Sequence, residues 1–189
     1  MELEITVQNV ASCATVPKTE RIQHWIRHAL GENRVGELTV RVVGEVEGAR
    51  LNERFRHGSG ATNVLAFSHN DTVLDGPAES LLGDLVICAP VLAREASDQG
   101  KTLEDHWAHI SIHGTLHLLG YDHENAEGAR VMEARERELL GALGIVDPYR
   151  GEVCCLASRV AGLQDRHYRC PTTYPLVPTN PEKPGGGRA

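Results

Sequence analysis

No run in this chain approaches the roughly 20 consecutive apolar residues that a membrane-spanning helix needs. The opening Met1-Glu2-Leu3-Glu4 is acidic where a secretory leader is basic and then apolar. Both absences point to a cytoplasmic protein with no membrane partner. The five cysteines (Cys13, Cys88, Cys154, Cys155, Cys170) contain no C-x-x-C pair, and an odd count without that spacing argues for reduced thiols rather than a disulfide framework. Cys88 ends an apolar run and reads as core packing. Cys154, Cys155 and Cys170 with His167 match no zinc template in their spacing. Positive charge is also scarce: 19 Lys and Arg face 26 Asp and Glu, a net of −7. That balance counts against broad, sequence-independent nucleic-acid binding, and DNA is not an expected partner. An anionic substrate has to be met by a small cluster, for which Arg41, Arg50, Arg54 and Arg56 are the candidates.

What the chain does have is enough length for one core. At 189 residues and 41% hydrophobic content it reads as a single globular domain over residues 1–150. Residues 151–189 hold five of the nine prolines and the run Gly185-Gly186-Gly187, and read as a disordered tail. Leu3, Ile5 and Val7 alternate as a first strand; Leu38, Val40 and Val42 as a second; Asn63–Phe67 forms a third and Leu85–Cys88, before Pro90, a buried fourth. Thr19 is the expected cap of a helix with stripe Ile22, Trp25, Ile26, Ala29 and Leu30, closed by Gly31. Glu45–Phe55 reads as a second helix, with Val46, Ala49, Leu51 and Phe55 its apolar residues, and Val91–Gln99 as a third. Residues 57–61 are a loop and 69–80 a solvated turn or hairpin. Thr102 caps the next helix, with stripe Leu103, Trp107, Ile110, Gly114 and His117. Glu124–Leu143 is the last helix: Ala129, Met132, Leu139, Leu140 and Leu143 face inward, and Glu133 pairs with Arg137 on the outside.

The chemistry concentrates in His113-Gly114-Thr115-Leu116-His117-Leu118-Leu119-Gly120-Tyr121-Asp122-His123. Four residues turn a helix through roughly 400°, so His113 and His117 lie about 40° apart around its axis and can grip one ion. Gly120 tolerates positive φ, letting the helix stop and the chain return with a third imidazole, His123. Three neutral nitrogens with the fourth position left to water describe a catalytic site for one Zn²⁺ ion rather than a structural one. The metzincin peptidase pattern H-E-x-x-H-x-x-G-x-x-H is met except at one position: Gly114 stands where that family's catalytic glutamate would be. Without that carboxylate the usual peptidase route lacks its base, whereas phosphoryl chemistry remains open to the metal.

With Leu51-Asn52-x-x-Phe55-Arg56, Thr62-Asn63-Val64-Leu65, Leu82-Gly83-Asp84-Leu85-Val86-Ile87-Cys88 and Asp147-Pro148-Tyr149 in the same order, the histidine segment resembles the YbeY family of bacterial endoribonucleases, over about residues 1–150. The resemblance implies an α+β domain with a mixed sheet of about four strands packed by helices. It also implies a zinc held by His113, His117 and His123, and cleavage of single-stranded RNA. Its setting would be the ribosome: small-subunit ribosomal RNA maturation at the 3′ end, and ribosome quality control. The family's arginine near the site maps to Arg56, which is catalytic if it clamps a scissile phosphate and a solvated helix end if it does not. The loop His57-Gly58-Ser59-Gly60-Ala61 departs from the family's usual lysine- and aspartate-bearing stretch, and Ala66 and Ser68 replace its usual serine and proline around Phe67.

Two other functions stay open at this level. One is a zinc hydrolase of another bond, such as a peptide, which needs a carboxylate from elsewhere. The other is a ribosome assembly factor whose zinc is structural. Asp122 reads either as a partner orienting a neighbouring imidazole or as a turn residue, and Asp84 either lies near the site or only begins a strand. His106 and His109 read as surface or packing histidines.

Overall fold

Residues 2–13, 15–31, 33–69 and 81–149 are described in a computed structural model of the chain. The turn expected at 69–80, apart from His69, the tail at 151–189 and its cysteines lie outside them. Alternation of apolar and polar residues produces strands β1 (Leu3–Asn9) and β2 (Gly36–Val43), and the short apolar run after the 57–61 loop forms β3 (Val64–Ser68). A fourth, β4 (Leu81–Cys88), begins four residues before the apolar run that announces it. The sheet order is β1-β2-β4-β3, with β1, β2 and β4 parallel and β3 antiparallel to β4, so the sheet is mixed as expected. Helix α1 (Thr19–Leu30) makes the crossover between the parallel β1 and β2. After β2 come α2 (Glu45–Arg56), then β3 and β4, then α3 (Ala89–Asp98), α4 (Leu103–Leu118) and α5 (Ala126–Ala142).

Side chains of one sheet face (Ile5, Leu38, Val40, Val42, Val64, Leu85, Ile87) meet α1, α4 and α5 in the larger core. On the opposite face Val43, Leu65, Val86 and Cys88 form a smaller cluster with Val91 and with Leu51 of α2. Cys88 is core, as its sequence position implies.

Several local readings change. Thr19 is not the cap of α1 but its first residue: the carbonyl of Lys18 already accepts from the amides of Arg21 and Ile22, so the helix begins one position earlier. In α2 the buried residues are Gly48 and Asn52, while Val46 is 78% exposed. The helix meets the sheet through its smallest residue, and a Cβ on Gly48 would lie 3.1 Å from Cys88 Sγ. Pro90 sits in the first turn of α3, where its missing N–H costs no helical bond.

Helix α4 differs most. Thr102 caps it, its hydroxyl oxygen accepting from the Asp105 amide. Instead of one apolar stripe, eleven of its sixteen residues are buried, because α1, α3, α5, β3 and β4 surround it. It touches the sheet at Gly114, where a Cβ would stand 3.0 Å from both Leu85 Cδ2 and Val64 Cγ2. A metzincin-type glutamate at this position would therefore be an unpaired carboxylate among aliphatic carbons. Gly114→Glu is expected to destabilise the domain by about 3–5 kcal/mol. Urea denaturation checks this, and a variant as stable as the parent would overturn the packing argument.

Candidate metal centre

The last two turns of α4 present His113 and His117, and the turn that follows is set by hydrogen bonding at the helix end. The Gly120 amide donates to the His117 carbonyl (3.0 Å) and the Tyr121 amide to the Leu116 carbonyl (3.0 Å), with Gly120 at φ +87°. Both bonds need a residue in the left-handed region at position 120, which glycine supplies without steric cost. The reversed chain then returns His123, whose amide donates to Asp122 Oδ1 at 2.7 Å. Asp122 is thus a turn residue, as one of its two readings held.

The three imidazoles meet. One ligand nitrogen from each of His113, His117 and His123 lies within 4.8 Å of the others, and their ring centroids are 4.7 to 5.5 Å apart. His117 Nδ1 is 3.0 Å from the Tyr121 carbonyl, and His113 Nδ1 is 2.6 Å from Glu136 Oε1. A carbonyl or a carboxylate oxygen can only accept, so each Nδ1 carries the proton and each Nε2 keeps its lone pair. Those two Nε2 atoms are 3.2 Å apart. Lone pairs facing at that distance repel unless a cation sits between them, and two ligands about 2.0–2.1 Å from a tetrahedral ion are about 3.3 Å apart. The donor set therefore fits one metal ion. No fourth donor joins the three among the described residues.

Electrostatics favour the same state. Burial, aided by the neighbouring His113 and His123, pushes the His117 pKa down to about 3, so the ring is neutral at neutral pH. Burial followed by the charge of His113 also lowers His123. Neutral imidazole is the form that ligates.

Behind the three imidazoles lies a residue that the helical pattern discloses only as a charge on an inward stripe. Glu136 is fully buried on α5, four residues after Met132 and three before Leu139, filling the gap in the inward stripe. A charge on a core-facing stripe is the signal for such a residue. Burial opposes ionisation of Glu136, but the neighbouring His109, 3.5 Å from Oε2, and the hydrogen bond from His113 outweigh it and hold the carboxyl well below the usual range. Oε1 takes the His113 proton donor, Oε2 accepts from the Tyr149 hydroxyl, and His109 Nε2 is 3.5 Å from Oε2. His109, His113 and Glu136 could themselves be taken for a metal site. The 2.6 Å separation and the tyrosine donor identify a hydrogen-bond network instead.

Residues 6–144 of the chain match the profile of the family described as Endoribonuclease YbeY. The chain belongs to the YbeY family. A relative from Halorhodospira halophila, named Endoribonuclease YbeY, is 51% identical over 151 residues, covering 79% of this chain and 97% of that protein. Relatives of the same name from Xanthomonas axonopodis pv. citri (48% over 155 residues, 80% and 96%) and Pseudomonas putida (51% over 150 residues, 78% and 93%) are similarly close. The solution structure of a Thermotoga maritima protein, 23% identical, covers 74% of this chain and 91% of its own at a TM-score of 0.46.

The arginine that the YbeY resemblance singled out, Arg56, closes α2, and its Nη2 is 3.5 Å from the carbonyl of Ala66 on β3, a strand against which α4 packs. Of the other cluster candidates, Arg41 is committed to Glu47 (2.8 Å) and Gln8 (3.1 Å), and Arg54 lies over the ring of Phe55. Arg50 lines a shallow cleft with Glu53 and His57. Asp84 stands in the middle of β4, not at its start, with His69 Nε2 3.6 Å away. His106 is a packing residue, buried against Glu95 at 2.9 Å. His109 belongs to the Glu136 network, so neither it nor His106 is a surface residue. No helix among the described residues is long and apolar enough to cross a membrane.

Proposed function

We propose that this chain is a zinc-dependent endoribonuclease specific for single-stranded RNA, acting in the cytoplasm on small-subunit ribosomal RNA, at its 3′ end, and in ribosome quality control. Family membership supports RNA as the substrate. The observation that carries the metal assignment is the gathering of three imidazoles with two protonated Nδ1 atoms turned away and two Nε2 atoms turned toward each other. Three donors, with no fourth among the described residues, favour a reactive site over a structural one. The catalytic unit is residues 1–150, with residues 151–189 as an appended tail.

His113, His117 and His123 would hold the ion. Zinc bound there supplies Lewis acidity toward a phosphoryl oxygen and brings the pKa of a bound water to about 7. The remaining work falls to the chain. Glu136 and the Tyr121 carbonyl fix two rings in the ligating tautomer, so no proton has to leave when the metal arrives. Arg56 offers a planar guanidinium that pairs bidentately with a scissile phosphate and offsets the charge developing on it. A peptidase would need a carboxylate beside the metal. Gly114 has no space for one, and Glu136 faces the far nitrogen of His113.

The test is direct. Purified protein should carry about one zinc per chain and cut single-stranded RNA, lose cleavage on chelation and regain it with added zinc. Cleavage that survives complete metal removal would overturn the proposal, and cleavage of peptides but not RNA would support the peptidase instead.

A further inference from the structure

The segment after α5 has no evident task in RNA cleavage, yet it is fastened to the metal centre. Tyr149, half-buried, donates its hydroxyl to Glu136 Oε2, while the other oxygen of that carboxylate receives His113 Nδ1 at 2.6 Å. The rest of the segment is held independently of the metal ligands. The Tyr149 amide donates to Asp147 Oδ1 (2.9 Å), Lys101 Nζ donates to the Pro148 carbonyl (3.1 Å), and the Arg137 guanidinium lies 4.8 Å from the centre of the Tyr149 ring. The ring of Tyr149 also meets that of His109 edge to face, at 5.9 Å between centroids. A fully buried carboxylate shared between a ligand imidazole and a phenol ties the two mechanically, because displacing either donor leaves the carboxylate under-satisfied.

From this we infer that Tyr149 is a positioning residue of the metal centre, and that docking of residues 145–149 and occupation of the three-histidine site reinforce one another. The inference rests on the reading of His113, His117 and His123 as the metal ligands. Its physical content is reciprocity. If the Tyr149 bond keeps Glu136 aligned on His113, it raises metal affinity, and a bound metal, by fixing His113, must hold Tyr149 down by the same factor. The partner is a divalent cation, and the coupled element is the stretch from Ile145 to Tyr149.

Tyr149→Phe removes one hydroxyl and keeps the ring against His109 and Arg137, so the fold should persist. The measurement is zinc affinity by chelator competition on the full chain, with amide exchange of residues 145–149 followed with and without zinc. The variant is expected to bind zinc about tenfold more weakly, the lower end of what loss of an outer hydrogen-bond partner costs. In the parent, zinc should slow exchange across 145–149, and in Tyr149→Phe that slowing should shrink. Zinc binding within twofold of the parent, or exchange at 145–149 indifferent to zinc in the parent, would overturn the inference while leaving the histidine site intact. A parent chain that takes up no zinc, or a His117→Ala variant that binds it normally, would instead remove the reading of the ligands, and the inference with it.

Discussion

His117→Ala is expected to lose its zinc and its RNA cleavage together. With two imidazoles left, the site keeps neither the ligand count nor the facing pair of Nε2 atoms, 3.2 Å apart, that favours a cation. Affinity should fall by on the order of 10³-fold or more. The fold should survive, because alanine favours the helix and the Gly120 turn is built from main-chain bonds. Metal analysis, circular dichroism and single-stranded RNA cleavage read the three consequences separately. Arg56→Glu makes the complementary case: full zinc content, with cleavage reduced by about 10²–10³-fold, the usual cost of losing one charge-stabilising group. If both variants cleave at the parental rate, the catalytic assignment ends.

The second large effect is expected at Glu136. Replacing it with alanine strands the His113 and Tyr149 donors in a buried site, and a loss of about 3–5 kcal/mol is anticipated from breaking a buried charged network on one side. Glu136→Gln separates stability from tuning. Its amide oxygen still accepts from His113, but without the negative charge the imidazole becomes a weaker donor to the metal, so zinc affinity should drop about 10–100-fold in a folded protein. Denaturation with and without zinc, alongside chelator competition, distinguishes these outcomes. A Glu136→Gln variant that holds zinc as tightly as the parent would show that the carboxylate serves packing alone.

How far the sequence disclosed this arrangement depended on where the deciding interactions lie. His113, His117, Gly120 and His123 are joined by local geometry, one helical turn and one reversal, so their offsets carry the gathering of the three imidazoles. Glu136 comes from a different helix and reaches His113 across 23 positions, and no local spacing encodes that. In the sequence it is legible only as a charge interrupting an inward stripe. In α4 the stripe names buried residues (Trp107, Ile110, Gly114) but understates the burial, because periodicity registers a contrast between two faces and a helix packed on most sides has little. Helix α2 stands where its sequence places it and Leu51 packs inward, but its apolar residues do not mark the whole interface. Its contact with the sheet runs through Gly48, a residue whose importance is the absence of a side chain, while Val46 is left in solvent. Strand β4 extends beyond its apolar run because Gly83, at φ +141° where the register against β2 shifts, and Asp84 continue the pairing while interrupting the hydrophobic pattern.

The enclosure of α4 makes the three anchors unequal. His113 and His117 ride on the part of the molecule least able to breathe without global unfolding, whereas His123 hangs from a short rim turn that includes exposed Gly120. An ion held by such a tripod is expected to come and go through the one loosely moored leg, with the other two setting where it would rest.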